Sequence, residues 1–323
     1  MRVPGARGLV TFVLLFFLFV FASVGDGQNL HNKEKRRGVI YGGGGSPRHQ
    51  RCLALLGIFS TAKDAHLRQL HRRYLQAHAP HLAHFGSCGR EDSILVRFVL
   101  CAKILSAALQ SEQEEFGDLI ILQSDENMNS GKTLLYFAAA ARMSFNSDYI
   151  LKADIDAFVH AGNLVATLQA LQRAEAVYKY YGRIIGGFPV PDKGWIMGCL
   201  YGMSFNLVQQ YALLAESWTE SLRGGEDQIS TKIAARFLAS SSNASCEWRS
   251  DDHIHDHPDC GCGPNAVAFS SQTVAVHQLK ALSLWNSTLS YFLGNASAQV
   301  VLRDFKSGDF PGLRYRTCKQ ILD

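Results

Sequence analysis

The sequence predicts an α/β fold in which a Rossmann-like, mostly parallel sheet is flanked by helices in a single domain. Three observations carry this reading. From Arg51 onward, short apolar runs and segments of helical period follow one another in strict alternation, the pattern of parallel strands joined by right-handed crossovers. The apolar runs are short and continuous, as buried strands are. Two carboxylates one residue apart, Asp154 and Asp156, directly follow one such run, where an open α/β sheet has its ligand crevice.

The elements are read in order. Cys52 to Phe59 is a strand, Lys63 to Ala79 a helix, Ser93 to Cys101 a strand and Lys103 to Phe116 a helix. Asp118 to Leu122 is again a strand, Lys132 to Phe145 a helix, and Asp148 to Leu151 the strand that delivers the acidic pair. Phe158-Val159 is expected to open a helix that packs back on the sheet. A further helix should start at Gly225-Glu226-Asp227 and run to about Leu238, and Val274 to His277 reads as a strand. No GxGxxG follows the first strand, which argues against a dinucleotide fold.

The 323 residues, 47% of them hydrophobic, can bury a sizeable core. Net charge is only +4 and the basic residues are scattered, apart from a short cluster at Lys33 to Arg37, so nothing suggests a nucleic-acid partner. Arg2 and Arg7 precede an apolar run of 16 residues, Leu9 to Val24. That length lies between a signal-peptide core and a spanning helix. Residues 1–27 are therefore read as a signal-anchor or signal peptide, residues 28–50 as a polar, glycine-containing stem, and residues 51–323 as the folded domain. Sequons at Asn243, Asn286 and Asn295 fit a luminal or secreted domain, and the eight cysteines are compatible with disulfides in it. Cys52 and Cys101 on buried strands can equally be small core residues.

Asp154 and Asp156 are hard oxygen ligands that suit Mn²⁺ or Mg²⁺, typically with substrate phosphates completing the shell. The bland alternative for an Asp-x-Asp triplet is a solvated turn. The stretch Lys152-Ala-Asp154-Ile-Asp156-Ala-Phe158-Val resembles the Lys-x-Asp-Asp-Asp-Val-Phe-Val block of the β1,3-glycosyltransferase (galactosyltransferase) family, with Ile155 in place of the middle acid. Arg97-Phe98-Val-Leu resembles the family's Lys/Arg-Phe-Val-Leu strand, and Glu112 with Asp118 resembles its Glu-x-x-x-Tyr-x-Asp-Ile block. Glu126 to Thr133 resembles its Asn-Leu-Thr-x-Lys-Thr block and is closest to the trypanosomatid branch. The family's early arginine block is poorly matched by His66 to Tyr74, which puts nucleotide contacts from that helix in question.

The resemblance implies a nucleotide-diphospho-sugar transferase fold and an inverting, metal-dependent transfer of galactose or N-acetylglucosamine from a UDP-sugar to a glycan hydroxyl in a β1,3-type linkage. It also implies a type II Golgi membrane protein with a luminal catalytic domain. Asp154, Asp156 and His277 become the expected ligands of Mn²⁺ or Mg²⁺. Lys132 becomes a partner for phosphate or for the acidic cluster. Trp195, Tyr201 and Gly202, in a Gly-x-x-Tyr-x-x-Ser-like block, become an acceptor-side surface. Glu226-Asp227 matches the family's Glu-Asp-Val block, which makes Asp227 the expected base and Glu226 a substrate neighbour. Each has a plainer alternative: a turn for Lys132, core packing for the aromatics, helix capping for the acids and a structural role for the histidine. Two other readings compete. One is a non-catalytic luminal chaperone or lectin-like protein of the same fold. The other is a secreted metal-binding or metallohydrolase protein built around the His253, His255 and His257 loop, within a stretch, Asp251 to Cys262, otherwise read as an exposed, disulfide-tethered loop near the acceptor cleft.

Overall fold

The computed structural model describes residues 39–41, 51–88, 90–143, 146–187, 194–217, 225–240, 245–294 and 313–317. The expected anchor and nearly all of the stem lie outside them, as do Asn243 and Asn295. Among the described residues no helix is long and apolar enough to cross a membrane. Residues 40–323 cluster as one compact unit.

The strands are β1 (Val39–Tyr41), β2 (Arg51–Phe59), β3 (Ala83–His84), β4 (Ile94–Cys101), β5 (Leu119–Leu122), β6 (Asn146–Asp154), β7 (Phe158–Val159), β8 (Tyr178–Ile185), β9 (Trp195–Ser204), β10 (Cys246–Asp251), β11 (Ile254–Asp256), β12 (Ala275–His277) and β13 (Leu313–Thr317). The helices are α1 (Ala65–His78), α2 (Ala107–Phe116), α3 (Thr133–Arg142), α4 (Ala161–Gln172), α5 (Phe205–Ser217), α6 (Glu226–Ser240) and α7 (Leu282–Gly294). The large sheet runs β1-β5-β4-β2-β6-β9-β8-β10-β13, with β3 paired to β4. Its centre is parallel, as expected, because β5, β4, β2 and β6 are joined by crossover helices. β9 runs antiparallel to both β6 and β8, so the second half of the sheet is mixed. A small sheet, β11-β12-β7, stands apart from the large one.

Local chemistry sets the helix boundaries more sharply than hydrophobic period does. The first helix was expected from Lys63; there the Thr61 and Asp64 side chains form a capping box on a short 3₁₀ turn, and α1 follows from Ala65. α2 begins at Ala107 rather than Lys103 because the Ser106 side chain accepts from Leu109 N (3.3 Å), and it ends at Gly117 in the left-handed region (φ +62°). Phe158-Val159 does not open a helix. It is a strand paired antiparallel with β12, and α4 starts after His160, whose Nδ1 accepts from Asn163 N at 3.1 Å.

Both faces of β2, β4 and β6 are buried, and the core cluster on the face of Leu56, Val96 and Leu151 reaches Trp285 and Phe292 of α7. Cys52 is not merely a core residue, since it is disulfide-bonded to Cys88, whereas Cys101 is free and buried. A buried ionic network ties α1 to α2 and β5. Arg68 pairs with Glu112 (2.6 Å), and Arg72 pairs with both Glu112 and Asp118 (2.8 Å each). Removing one member of such a buried network leaves an uncompensated charge, which is far costlier than losing an exposed pair.

Candidate active site

β6 ends at Asp154, and Asp156 stands in the turn that follows. That turn leads straight into β7, whose partner β12 ends at His277. The chain path therefore brings His277 over the acidic pair: its Nε2 lies 3.7 Å from Asp154 Oδ2 and 3.5 Å from Asp156 Oδ1. Backbone contacts lock the arrangement. Leu279 N donates to Asp156 O (3.0 Å), His257 N donates to His277 O (2.9 Å), and Gln278 adopts φ +66°, which turns the chain sharply after the histidine. On the far side of the ring, His277 Nδ1 is 2.9 Å from Asp256 Oδ1, its register partner in β11.

Among the described residues, Asp154, Asp156 and His277 are the group whose ligand atoms lie close enough together to hold an ion. Two carboxylates and an imidazole form a mixed oxygen and nitrogen donor set that fits Mn²⁺ or Mg²⁺. Burial alone would lower the His277 pKa. Its hydrogen bonds to Asp156 and Asp256 and the charges of Asp156 and Asp154 outweigh that and push it up to about 9. The site is therefore cation-seeking, and in the free protein the imidazolium fills that role.

Behind the pair sits Lys152, fully buried. Its Nζ donates to Asp154 Oδ1 (2.7 Å), Glu226 Oε1 (2.5 Å) and Gly198 O (2.6 Å). Burial opposes its charge, but Asp154 and Glu226 overcome that and raise its pKa. Glu226 is thereby fixed, and its other oxygen accepts from Tyr201 and Thr133 hydroxyls at 2.8 Å each. Gly198 faces both acids closely: a Cβ there would press on Glu226 Oε1 at 3.0 Å and touch Asp227 Oδ2 at 3.5 Å. Asp227 opens α6 beside Glu226 and accepts from Gln228 N (2.8 Å). Burial, then the neighbouring Glu226 charge, raise its pKa. Asp154, Asp156, Glu226, Asp227 and His277 all line one cleft of about 1210 Å³.

Other expected site residues fall elsewhere. Lys132 is buried and donates to Ser60 O (2.7 Å) and Glu126 Oε1 (2.6 Å), so its acidic partner is Glu126 and not the Asp154 cluster. Tyr201 is fully buried and acts on Glu226 instead of presenting a face to an acceptor. Trp195 begins β9 opposite Ile185, away from the cleft lining. Gly202 does let backbone approach closely, but the backbone is β6: a Cβ would lie 2.5 Å from Ile150 O. Gly202→Ala should therefore cost about 1–3 kcal/mol or more in thermal unfolding, as overpacking does. The histidine loop is exposed only at its end, at Asp259, Gly261 and Cys262, and among the described residues its histidines do not gather into a metal-binding group. His253 pairs with Asp251, His255 with Thr273 and His257 with Ser287, and the last two rings are buried. The tether expected there is present as Cys260–Cys262.

The galactosyltransferase family model matches residues 89–253, just over half of the 323. The chain belongs to the galactosyltransferase family. The family match takes in Asp154, Asp156, Glu226 and Asp227, whereas His277 lies beyond it. A 138-residue stretch is 31% identical to Probable beta-1,3-galactosyltransferase 8 of Arabidopsis thaliana, covering 41% of this chain and 34% of that protein. An 82-residue stretch is 32% identical to UDP-GalNAc:beta-1,3-N-acetylgalactosaminyltransferase 1 of Rattus norvegicus, covering 24% of each. The chain thus spans about a third or less of the length of these curated relatives. Similar solved structures include the galactosyltransferase LgtC in complex with donor and acceptor sugar analogs (10% identity, 75% of this chain, 95% of that chain, TM-score 0.40). Mouse xyloside xylosyltransferase 1 in its apo form is another (12% identity, 70% and 97%, TM-score 0.38). Scores this low carry no residue from those structures to this family member.

Sequence reasoning missed three contributors to this site. Lys152 stood in the motif but had no assigned role, and its three partners come from distant segments. α1, whose Arg68 and Arg72 are consumed by the ionic network, still lines the cleft with His66, Gln69 and Arg73. Their i, i+3, i+7 spacing marks one helical face and could have been read. Asp256 was hidden in the histidine loop, and only the β11–β12 register reveals it. Because an outer carboxylate fixes the tautomer and orientation of a ligating imidazole, Asp256→Asn should weaken Mn²⁺ binding by about 10–100-fold, measured by titration calorimetry, and Asp256→Glu should recover part of it.

Proposed function

We propose that the chain is an inverting, metal-dependent glycosyltransferase that moves galactose or an N-acetylhexosamine from a UDP-sugar to a hydroxyl of a glycan acceptor. The observation that carries the reading is one cleft that gathers the Asp154–Asp156–His277 donor set and, on a separate element, the raised-pKa carboxylate of Asp227. The names of the relatives support the reaction class. Asp154, Asp156 and His277 would hold Mn²⁺ or Mg²⁺, which when bound supplies Lewis-acid stabilisation for a departing diphosphate.

The protein groups do the remainder. Lys152 balances Asp154 and Glu226 from behind, so the cleft can carry several carboxylates without expelling them. Glu226, held at both oxygens, fixes the start of α6 and hence the position of Asp227. Asp227 accepts the proton of the acceptor hydroxyl, a form of general-base help that contributes typically about 10²–10⁴-fold. A carboxylate whose pKa is raised is a stronger base for that task. One displacement on the face opposite the leaving group turns an α-linked donor into a β-linked product, and a β1,3 linkage is the form we assign.

Luminal Golgi residence behind the amino-terminal apolar run is part of the same proposal. Asn286 is exposed on α7 and available for a glycan, so glycosidase treatment of the secretory-pathway protein should raise its mobility on a gel, and an unchanged band on a cytosolic protein would refute the assignment. The reaction itself is tested by assaying the purified full chain for UDP release with Mn²⁺ across a panel of UDP-sugars and β-linked acceptors. No acceptor-stimulated release with any donor would overturn it.

A further inference from the structure

A second cavity, of about 840 Å³, opens where the parallel strands begin. Ser147 and Asp148 at the start of β6 line it, and β6 delivers Asp154 to the first cleft at its other end. At about 3.3 Å per residue the two sites are on the order of 20 Å apart. Nothing in the proposed transfer reaction uses it.

Eleven of its sixteen lining residues are polar or charged, which rules out a lipid or other apolar occupant. One of them is buried, among the described residues, without the partner that a buried polar group ordinarily has. Ser147 is 3% exposed and its Oγ makes no hydrogen bond. Lys179 lies beside it, 7% exposed as a residue, with Glu247, Arg249 and Asp148 as its charged neighbours. Burial lowers the Lys179 pKa. Its register neighbour Glu247 is engaged by Arg249 at 2.5 Å.

The charge pattern selects the ligand. Asp148 is already paired with Arg51 (2.7 Å) and accepts from Gln172. Glu91, Asp92 and Glu175 complete an acidic surround that would repel a phosphate or carboxylate. What remains is an array of carboxylate acceptors, amide groups on Gln169, Gln172 and Asn206, one ammonium and the Phe205 ring. Vicinal hydroxyls, each both donor and acceptor, match such an array, and a ring C–H face matches the phenyl. We propose that this cavity is a binding site for a neutral saccharide, separate from the transfer cleft and independent of whether transfer occurs there.

The test uses the full chain and lactose carrying a photoreactive diazirine, with adducts mapped by peptide mass spectrometry. The proposal expects adducts on peptides covering residues 146–149 and 169–179 that unlabelled lactose suppresses. Adducts at these positions should persist in Asp156→Ala, which disables only the transfer cleft. Lys179→Met should reduce them by about tenfold or more, the loss expected for a hydrogen bond to a charged group, while the melting temperature holds. If Lys179→Met does not fold, Gln172→Ala at the exposed rim makes the same comparison. Adducts confined to residues 154–156 and 277–285, adducts that lactose does not suppress, or adducts indifferent to the variants would overturn the site. Better competition by glucose 1-phosphate than by lactose would overturn the neutral-ligand assignment.

Discussion

Asp227→Asn lowers turnover by about 10²-fold or more while Mn²⁺ and UDP-sugar affinities stay near wild type, because the carboxylate acts on the acceptor and not on the donor. Asn keeps the shape and can still accept from Gln228 N, so the stability loss should not exceed about 1 kcal/mol. A purely structural Asp227 predicts the small stability change without the kinetic one. The pH profile separates the cases further. A base must be deprotonated to work, and burial together with Glu226 raises the Asp227 pKa. Turnover of the wild type should therefore fall as pH drops, with its midpoint raised from that of an ordinary aspartate, and the variant should lack that limb. Collapse of donor binding with turnover preserved at saturation would move Asp227 to the nucleotide site and leave the base unassigned.

Asp156→Ala abolishes Mn²⁺-dependent UDP binding, with a loss of metal affinity larger than the about 10–100-fold expected for an outer-shell change. The fold should survive, because the tie that holds the turn is Leu279 N to the Asp156 backbone oxygen, which alanine retains. Asp154→Ala should be worse for stability. It strips a 2.7 Å partner from buried Lys152 and leaves that ammonium with Glu226 as its one carboxylate partner among the described residues. Calorimetry with Mn²⁺ and UDP, beside thermal melts of both variants, checks the two claims together. A soluble double variant with wild-type transfer in chelator would refute the metal assignment.

The parallel half of the fold was legible because each buried strand there is a continuous apolar run between helical periods. The second half was less so. Phe158-Val159 looks like a helix start since its apolar character is satisfied equally by a two-residue strand, and the partner that decides the matter, β12, is more than a hundred residues further on. Carboxylates at the end of β6 could be placed from local sequence alone. Tyr201 and Gly202 could not: the aromatic ring and glycine that suit a sugar surface also suit a sheet interior, and strand register alone distinguishes the two. Lys132 misled for a related reason, because a buried lysine beside a loop glutamate reads the same as one awaiting a phosphate.

The small sheet carries a consequence for how this protein may be cut. β7 leaves the acidic turn and is held by β12, and β12 ends in His277, outside the family-matched stretch of residues 89–253. A fragment trimmed to that stretch would retain Asp154, Asp156, Glu226 and Asp227 yet lose the imidazole, Trp285 and the strand that positions β7. Such a fragment would be recognisable by motif yet lack one of the three side chains gathered at the candidate metal site.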